Sequence, residues 1–194
     1  MAESSGSRRG RIDLTDIALR ARDGCTRLAD VDLSIDAGER VAIAGPNGAG
    51  KTSLLQILFG RLRPSRGMVS IDGRDLAGIP HAERGRLFAV VAQGEIPDGR
   101  LTLVEYVGLG RIPHHRRCAP ERHARVVMDA CEKVGLSGLA PRRLSSLSGG
   151  ERQRAAIARA ITQEPVVLVL YASGEGHLVS WPVEAEVIGV ILGP

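Results

Sequence analysis

Eight consecutive residues, Gly45-Pro46-Asn47-Gly48-Ala49-Gly50-Lys51-Thr52, carry the most specific chemistry in the chain. They fit G-x-x-x-x-G-K-[ST], the Walker A spacing of a phosphate-binding loop. Glycines let the backbone curl so that successive N–H groups converge on one concavity, which suits phosphate oxygens. A helix beginning near Lys51 adds the positive end of its dipole. Lys51 is expected to reach the β- and γ-phosphates of a nucleoside triphosphate. The Thr52 hydroxyl is expected to ligate Mg²⁺, with Ser53 next to it at the same phosphates.

About a hundred residues further on lies Leu147-Ser148-Gly149-Gly150-Glu151, followed by Arg152-Gln153-Arg154. Ser148 is a good helix N-cap, and the amides of Gly149 and Gly150 would open that helix as a second anion site. This pentapeptide, downstream of a phosphate loop, resembles the LSGGE-x-Q-R signature of ABC transporter ATP-binding subunits. The resemblance implies ATP and Mg²⁺ as cofactors. It also implies that Ser148, Gly149, Gly150 and Glu151 face the ATP held by another subunit, so that two chains sandwich two nucleotides head to tail. The partners it implies are a second copy or a related ABC subunit, and an integral membrane permease.

Two further stretches extend the resemblance. Gln93, closing Leu87–Ala92, is similar to the family's Q-loop glutamine, which contacts the metal or the attacking water. Leu101–Arg117 would belong to the helical subdomain that docks on the permease. Within it, Leu109-Gly110-Arg111-Ile112-Pro113-His114 resembles the LGR-x-PH stretch of importers for iron-siderophore, haem and cobalamin. The His114-His115 pair is read as a solvated surface pair rather than as metal ligands. DNA-repair and translation relatives carry zinc motifs, long coiled coils or a second cassette, and none of these is present.

Two departures qualify the resemblance. No aromatic residue stands between Leu19 and Leu28, where the family often stacks adenine. After Val166–Leu170 the family continues with an Asp that holds Mg²⁺ and a Glu that polarises water, and later a His. Here Tyr171 and Ala172 occupy the first two positions, Glu175 is out of register and His177 comes too early. No catalytic residue is therefore assigned. This chain is expected either to work as an ATPase subunit or to be a truncated cassette that binds ATP while hydrolysing nothing, or is non-functional. All 26 Lys and Arg residues precede Tyr171, so the tail differs in composition as well, which suggests a frameshifted or truncated product.

The elements needed to hold these loops are legible. Ile12, Leu14, Ile17 and Leu19, then Val31, Leu33 and Ile35, follow the rhythm of half-buried strands. Arg40–Ala44 reads as a buried parallel strand, Lys51–Gly60 as a helix closed by its glycine, and Met68–Ile71 with Asp72-Gly73 as a strand and turn. Leu87–Ala92 and Val166–Leu170 read as buried strands. Leu101–Leu109, Pro120–Gly135 and Leu147–Thr162 read as helices. In Pro120–Gly135 the stripe Ala124, Val127, Met128, Cys131 and Val134 is expected to face inward, and in Leu147–Thr162 the inward residues are Ala156, Ile157 and Ala160. With no strand assigned after it, Val166–Leu170 is expected at an unprotected edge, and Val187–Leu192 is an aggregation-prone run.

The expected fold is thus α/β, a P-loop ABC cassette. It has an N-terminal antiparallel β-subdomain, a mainly parallel core sheet and a helical signature subdomain over residues 95–160, and is incomplete after the Walker B strand. Residues 1–10 read as a disordered tail, 11–170 as the ATP-binding domain, and 171–194 as a non-matching tail.

The 194 residues are enough for one domain, and 43% hydrophobic with 25% charged residues is an ordinary globular composition. Aromatics are only 3%, so aliphatic residues must fill the core. The net charge of +4 comes from scattered arginines, with Lys51 and Lys133 the two lysines, and implies no direct nucleic-acid partner. Cys25, Cys118 and Cys131 lack ligand spacing and suit a reducing cytosol. No apolar stretch approaches the ~20 residues that cross a bilayer. The expected place is the cytoplasmic face of the membrane, contacted through the permease alone.

Overall fold

The computed structural model describes residues 10–21, 24–92, 98–115, 117–171 and 188–192. Two four-stranded sheets and a group of helices make up this part of the chain. β1 (Ile12–Arg20), β2 (Thr26–Ile35), β4 (Arg66–Ile71) and β5 (Arg74–Asp75) form an antiparallel sheet in the order β2-β1-β4-β5. β3 (Arg40–Ile43), β6 (Phe88–Ala92), β7 (Val167–Tyr171) and β8 (Ile188–Leu192) form a parallel sheet in the order β3-β8-β7-β6. The helices are α1 (Lys51–Leu58), α2 (His81–Leu87), α3 (Leu103–Gly108), α4 (Pro120–Lys133) and α5 (Gly149–Thr162).

The spacing Ile12, Leu14, Ile17, Leu19 breaks the two-residue period between Leu14 and Ile17, yet all four are buried. A register shift at that point, with Asp16 at φ 53°, absorbs the extra residue. Asp30 on β2 also has positive φ, at 51°, and Arg66 bridges both aspartates. Asp72 and Gly73, at φ 50° and 75°, make the tight hairpin from β4 to β5 that the Asp-Gly pair predicts.

Two apolar clusters divide the residues. One joins β1, β2 and β4 to α1 and β7 through residues such as Ile12, Ile17, Leu55, Leu58 and Val167. The other is helical, with Leu103 and Val107 of α3, Val127 and Cys131 of α4, and Ala155 and Ala158 of α5. Small residues on α5 permit the close helix approach that this cluster needs.

Four expectations are corrected. β7 is not at an edge: β8 pairs with it on one side and β6 on the other. Ile188–Leu192, from the run expected to be aggregation-prone, is that strand. β3 is parallel as expected but not buried; among the described residues it pairs with β8 alone, and Ala42 is exposed. On α4, Ala124 and Met128 face solvent, while Ala130 joins Val127, Cys131 and Val134 inside. The inward stripe is narrower because α4 packs along a single seam against α3 and α5. Residues 93–97 and 172–187 lie outside the described residues, and with them Gln93, Ala172, Glu175 and His177.

A candidate phosphate site at the end of the parallel sheet

β3 runs directly into the loop Ala44–Gly50, and α1 begins at Lys51. The loop therefore lies at the carboxyl end of a parallel sheet, where open α/β folds bind ligands. Three loop glycines have positive φ: Gly45 at 156°, Gly48 at 83° and Gly50 at 85°. Gly50 is also the N-cap of α1, and the Leu54 amide donates to its carbonyl at 2.9 Å. Pro46, Asn47 and Ala49 complete the curve, with the Ala49 amide donating to the Pro46 carbonyl at 3.2 Å.

The Lys51 ammonium folds back over this curve. Its Nζ donates to the carbonyls of Gly45 at 2.5 Å and Pro46 at 2.9 Å. A cation beside the positive end of a helix with no acidic residue in its first turn can receive an anion. Thr52 and Ser53 occupy the first turn of α1, next to Lys51.

The ends of the neighbouring strands meet this loop. Ala42 lies across from Ile191, Ile191 from Leu170, and Leu170 from Val91. One row nearer the loop, Ile43 faces Leu192 and Ala92 faces Tyr171. Tyr171 thus ends β7 in the row of Ile43, just ahead of the phosphate loop. No group of three or more His, Cys, Asp or Glu residues that could hold a metal ion occurs among the described residues. Mg²⁺ commonly keeps several waters and takes few protein ligands beside phosphates. The Thr52 hydroxyl fits that limited role.

The second predicted loop opens α5. The Ser148 hydroxyl accepts from the Glu151 amide at 3.3 Å, and the Ser148 amide donates to Glu151 Oε2 at 2.7 Å. This capping box keeps the Glu151 carboxyl below its ordinary range, chiefly through that backbone donor. Arg152 Nη1 donates to the Leu147 carbonyl and holds the approach to the helix. Gly149 has open space beside it, and the nearest atom to a Cβ at Gly150 is Arg154 Nη1, at 3.8 Å. The first-turn amides of such a helix have no intrahelical acceptor and can receive an anion.

The loop is anchored by contacts that its own motif does not encode. Thr102 and Arg143 form an antiparallel bridge, with the Leu103 amide donating to Arg142 O at 2.8 Å and the Leu144 amide to Leu101 O at 2.9 Å. Thr102 also caps α3 in a box with Glu105. The Thr-Leu-Val-Glu spacing was the available signal for that box.

Arg111, within the Leu109–His114 stretch, has a structural role of its own. It is 4% exposed and donates to the Thr162 carbonyl at 2.5 Å and to Glu164 Oε2 at 2.6 Å. His114 is not simply solvated: its Nε2 donates to the Gln163 carbonyl at 2.8 Å, while His115 is exposed as expected. Together Arg111 and His114 fasten the end of α5, just ahead of β7.

The ABC transporter family matches residues 28–170. The hemin import ATP-binding protein HmuV of Pseudomonas entomophila (strain L48) is 43% identical over 136 residues, covering 70% of this chain and 52% of that protein. The thiamine import ATP-binding protein ThiQ of Brucella suis biovar 1 (strain 1330) is 41% identical over 139 residues, covering 72% and 56%. The cobalamin import ATP-binding protein BtuD of Halobacterium salinarum (strain ATCC 29341 / DSM 671 / R1) is 39% identical over 147 residues, covering 76% and 37%. The chain spans about half the length of the hemin-import relatives it matches. Among solved structures, cbiO1 from Clostridium perfringens, part of the ABC transporter complex cbiONQ, superposes with TM-score 0.73 at 26% identity, covering 84% of this chain and 65% of that one. A bacterial Atm1-family ABC exporter with ATP bound gives TM-score 0.76 at 22% identity over 100% of this chain and 36% of that chain, a likeness of fold.

Proposed function

The chain belongs to the ABC transporter family, and from that premise we propose that it is an ATP-binding cassette of an importer. In this reading Gly45–Thr52 and Ser53 hold the phosphates of Mg-ATP, and Lys51 moves from the loop carbonyls to the β- and γ-phosphates. Thr52 would hold Mg²⁺ through its hydroxyl, the metal would supply charge neutralisation at the phosphates, and Gln93 would contact the same metal or a water. Ser148, Gly149, Gly150 and Glu151 bring the opening of α5 to the nucleotide of a second copy or a related ABC subunit. A membrane permease receives the motion, and the cargo is a compound such as haem or an iron-siderophore. Relatives named for hemin, cobalamin and thiamine support import as the class. No helix among the described residues is long and apolar enough to cross a membrane, which suits contact through a permease at the cytoplasmic face.

The observation that carries this reading is Lys51 held over a three-glycine curve between a parallel strand and a helix. Its test is nucleotide-dependent pairing. Sedimentation of the purified chain is expected to show a dimer with Mg-ATP and a monomer without it. Ser148→Arg is expected to keep nucleotide binding and lose the dimer. Equal sedimentation with and without Mg-ATP would remove the sandwich from the account.

A second reading is favoured by Tyr171. It ends β7 level with Ile43, two residues ahead of the phosphate loop, where the family has the Asp that holds the metal. With Ala172 following it, the chain lacks both the metal carboxylate and the general base. The cassette then binds Mg-ATP and hydrolyses little or none of it.

A further inference from the structure

The strand that bears the phosphate loop is tied to its sheet by one neighbour. Among the described residues β3 pairs with β8 alone, β8 pairs with β7, and β7 with β6. Residues from the far end of the chain therefore sit between Arg40–Ile43 and everything else in the parallel sheet. In composition these residues belong to the stretch that carries no Lys or Arg, and the family match over residues 28–170 ends before them.

We propose that Ile188–Leu192 is the positioning strand of the phosphate site, and that nucleotide affinity depends on its insertion between β3 and β7. This rests on the reading of Gly45–Thr52 as a phosphate loop. Neighbouring strands lie ~4.8 Å apart, so β3 and β7 are separated by roughly two spacings with β8 between them. Without β8, β3 either leaves its ladder groups unpaired or moves inward by about one spacing, ~4.8 Å, to meet β7. The second course carries the loop by the same distance relative to the ends of β6 and β7, where Ala92 and Tyr171 lie.

The pairing is also the most non-local in the sheet, joining positions roughly 150 residues apart. Such contacts form late, because their closure entropy is met only when the rest is assembled. The competing support for β3 is the packing of Val41 and Ile43 on the first apolar cluster, which is partial. Ligand on the loop and insertion of β8 are therefore linked: each raises the population of the state that favours the other.

The experiment is amide hydrogen exchange on the whole, unmodified chain, with and without Mg-tripolyphosphate, a probe that has the phosphates and no base. Slower exchange at residues 45–52 and at 188–192 together is the expected result. Slower exchange at 45–52 with 188–192 unchanged overturns the proposal and leaves the phosphate reading standing. No change at 45–52 instead removes the phosphate reading on which the proposal rests. Val190→Pro, which deletes a ladder donor, supplies a second readout. Its affinity for the same probe is expected to fall about tenfold or more if the binding-competent form drops to a tenth of the population. A folded Val190→Pro chain with unchanged affinity contradicts the proposal. Should that variant not fold, the exchange measurement on the unmodified chain decides.

Discussion

The side chain of Leu28 lies against Gly50 so closely that a Cβ built on the glycine would meet Leu28 Cδ2 at 2.7 Å and the Arg27 carbonyl at 2.8 Å. The antiparallel sheet and the phosphate loop therefore touch at the N-cap of α1, and only a residue without a side chain fits there.

Gly50→Ala should consequently cost stability and phosphate affinity together. Positive φ on a non-glycine residue costs on the order of 1–3 kcal/mol, and the collision adds to it. Gly149→Ala is the contrast, since nothing lies within 4 Å of its Cβ and its φ is not positive. Urea melts of the two variants should differ clearly in midpoint. Equal midpoints would contradict the packing described here.

Acid should loosen the junction between Leu109–His114 and the end of α5. Burial pushes the His114 imidazole below its ordinary value near 6.5, partly offset by its bond to the Gln163 carbonyl, with Arg111, Glu164 and Arg86 the nearby charges. The neutral ring suits the fold, so its contribution is whole above about pH 6.5 and declines as pH falls towards the lower folded value. For Glu164 burial acts upward, but Arg111, Arg122 and His114 outweigh it and hold the carboxyl below 4.5. Its share is present above about pH 4.5 and is lost as pH falls through its folded value. Tm should thus decline in two stages on acidification, and His114→Gln should flatten the first. A wild-type Tm constant from about pH 7 to pH 5.5 would refute the His114 assignment.

ATP turnover should lag far behind ATP binding. A positioned general base commonly contributes about 10²–10⁴-fold in rate, and Tyr171-Ala172 supplies none. Introducing carboxylates with Tyr171→Asp and Ala172→Glu together should raise turnover by a far larger factor than it changes binding. Steady turnover by the unmodified chain that disappears on Lys51→Ala would show that this reading of Tyr171 and Ala172 is mistaken.

What the sequence revealed, and what it hid, follows from the range of the interactions involved. The phosphate loop and the opening of α5 were legible because their geometry is written in adjacent residues: glycines at positive φ, Lys51 and the Ser148–Glu151 box. β7 was legible from its unbroken aliphatic run. α2 escaped because His81–Leu87 is a polar helix with no buried residue and no periodic signal. The place of β8 escaped because a strand's partners are set by residues distant in the chain, and Val187–Leu192 alone reads the same whether paired or free. Arg111 escaped for a like reason, since its acceptors, Thr162 and Glu164, lie some 50 residues away.

Calorimetric titration of Mg-ATP into the purified full chain, beside Lys51→Ala, addresses the central claim most directly. Saturable, Mg-dependent binding of one nucleotide per chain is predicted, with the substitution abolishing it while the melting curve stays cooperative. A folded wild-type chain that releases no heat with Mg-ATP, or a Lys51→Ala chain that binds equally well, would contradict it.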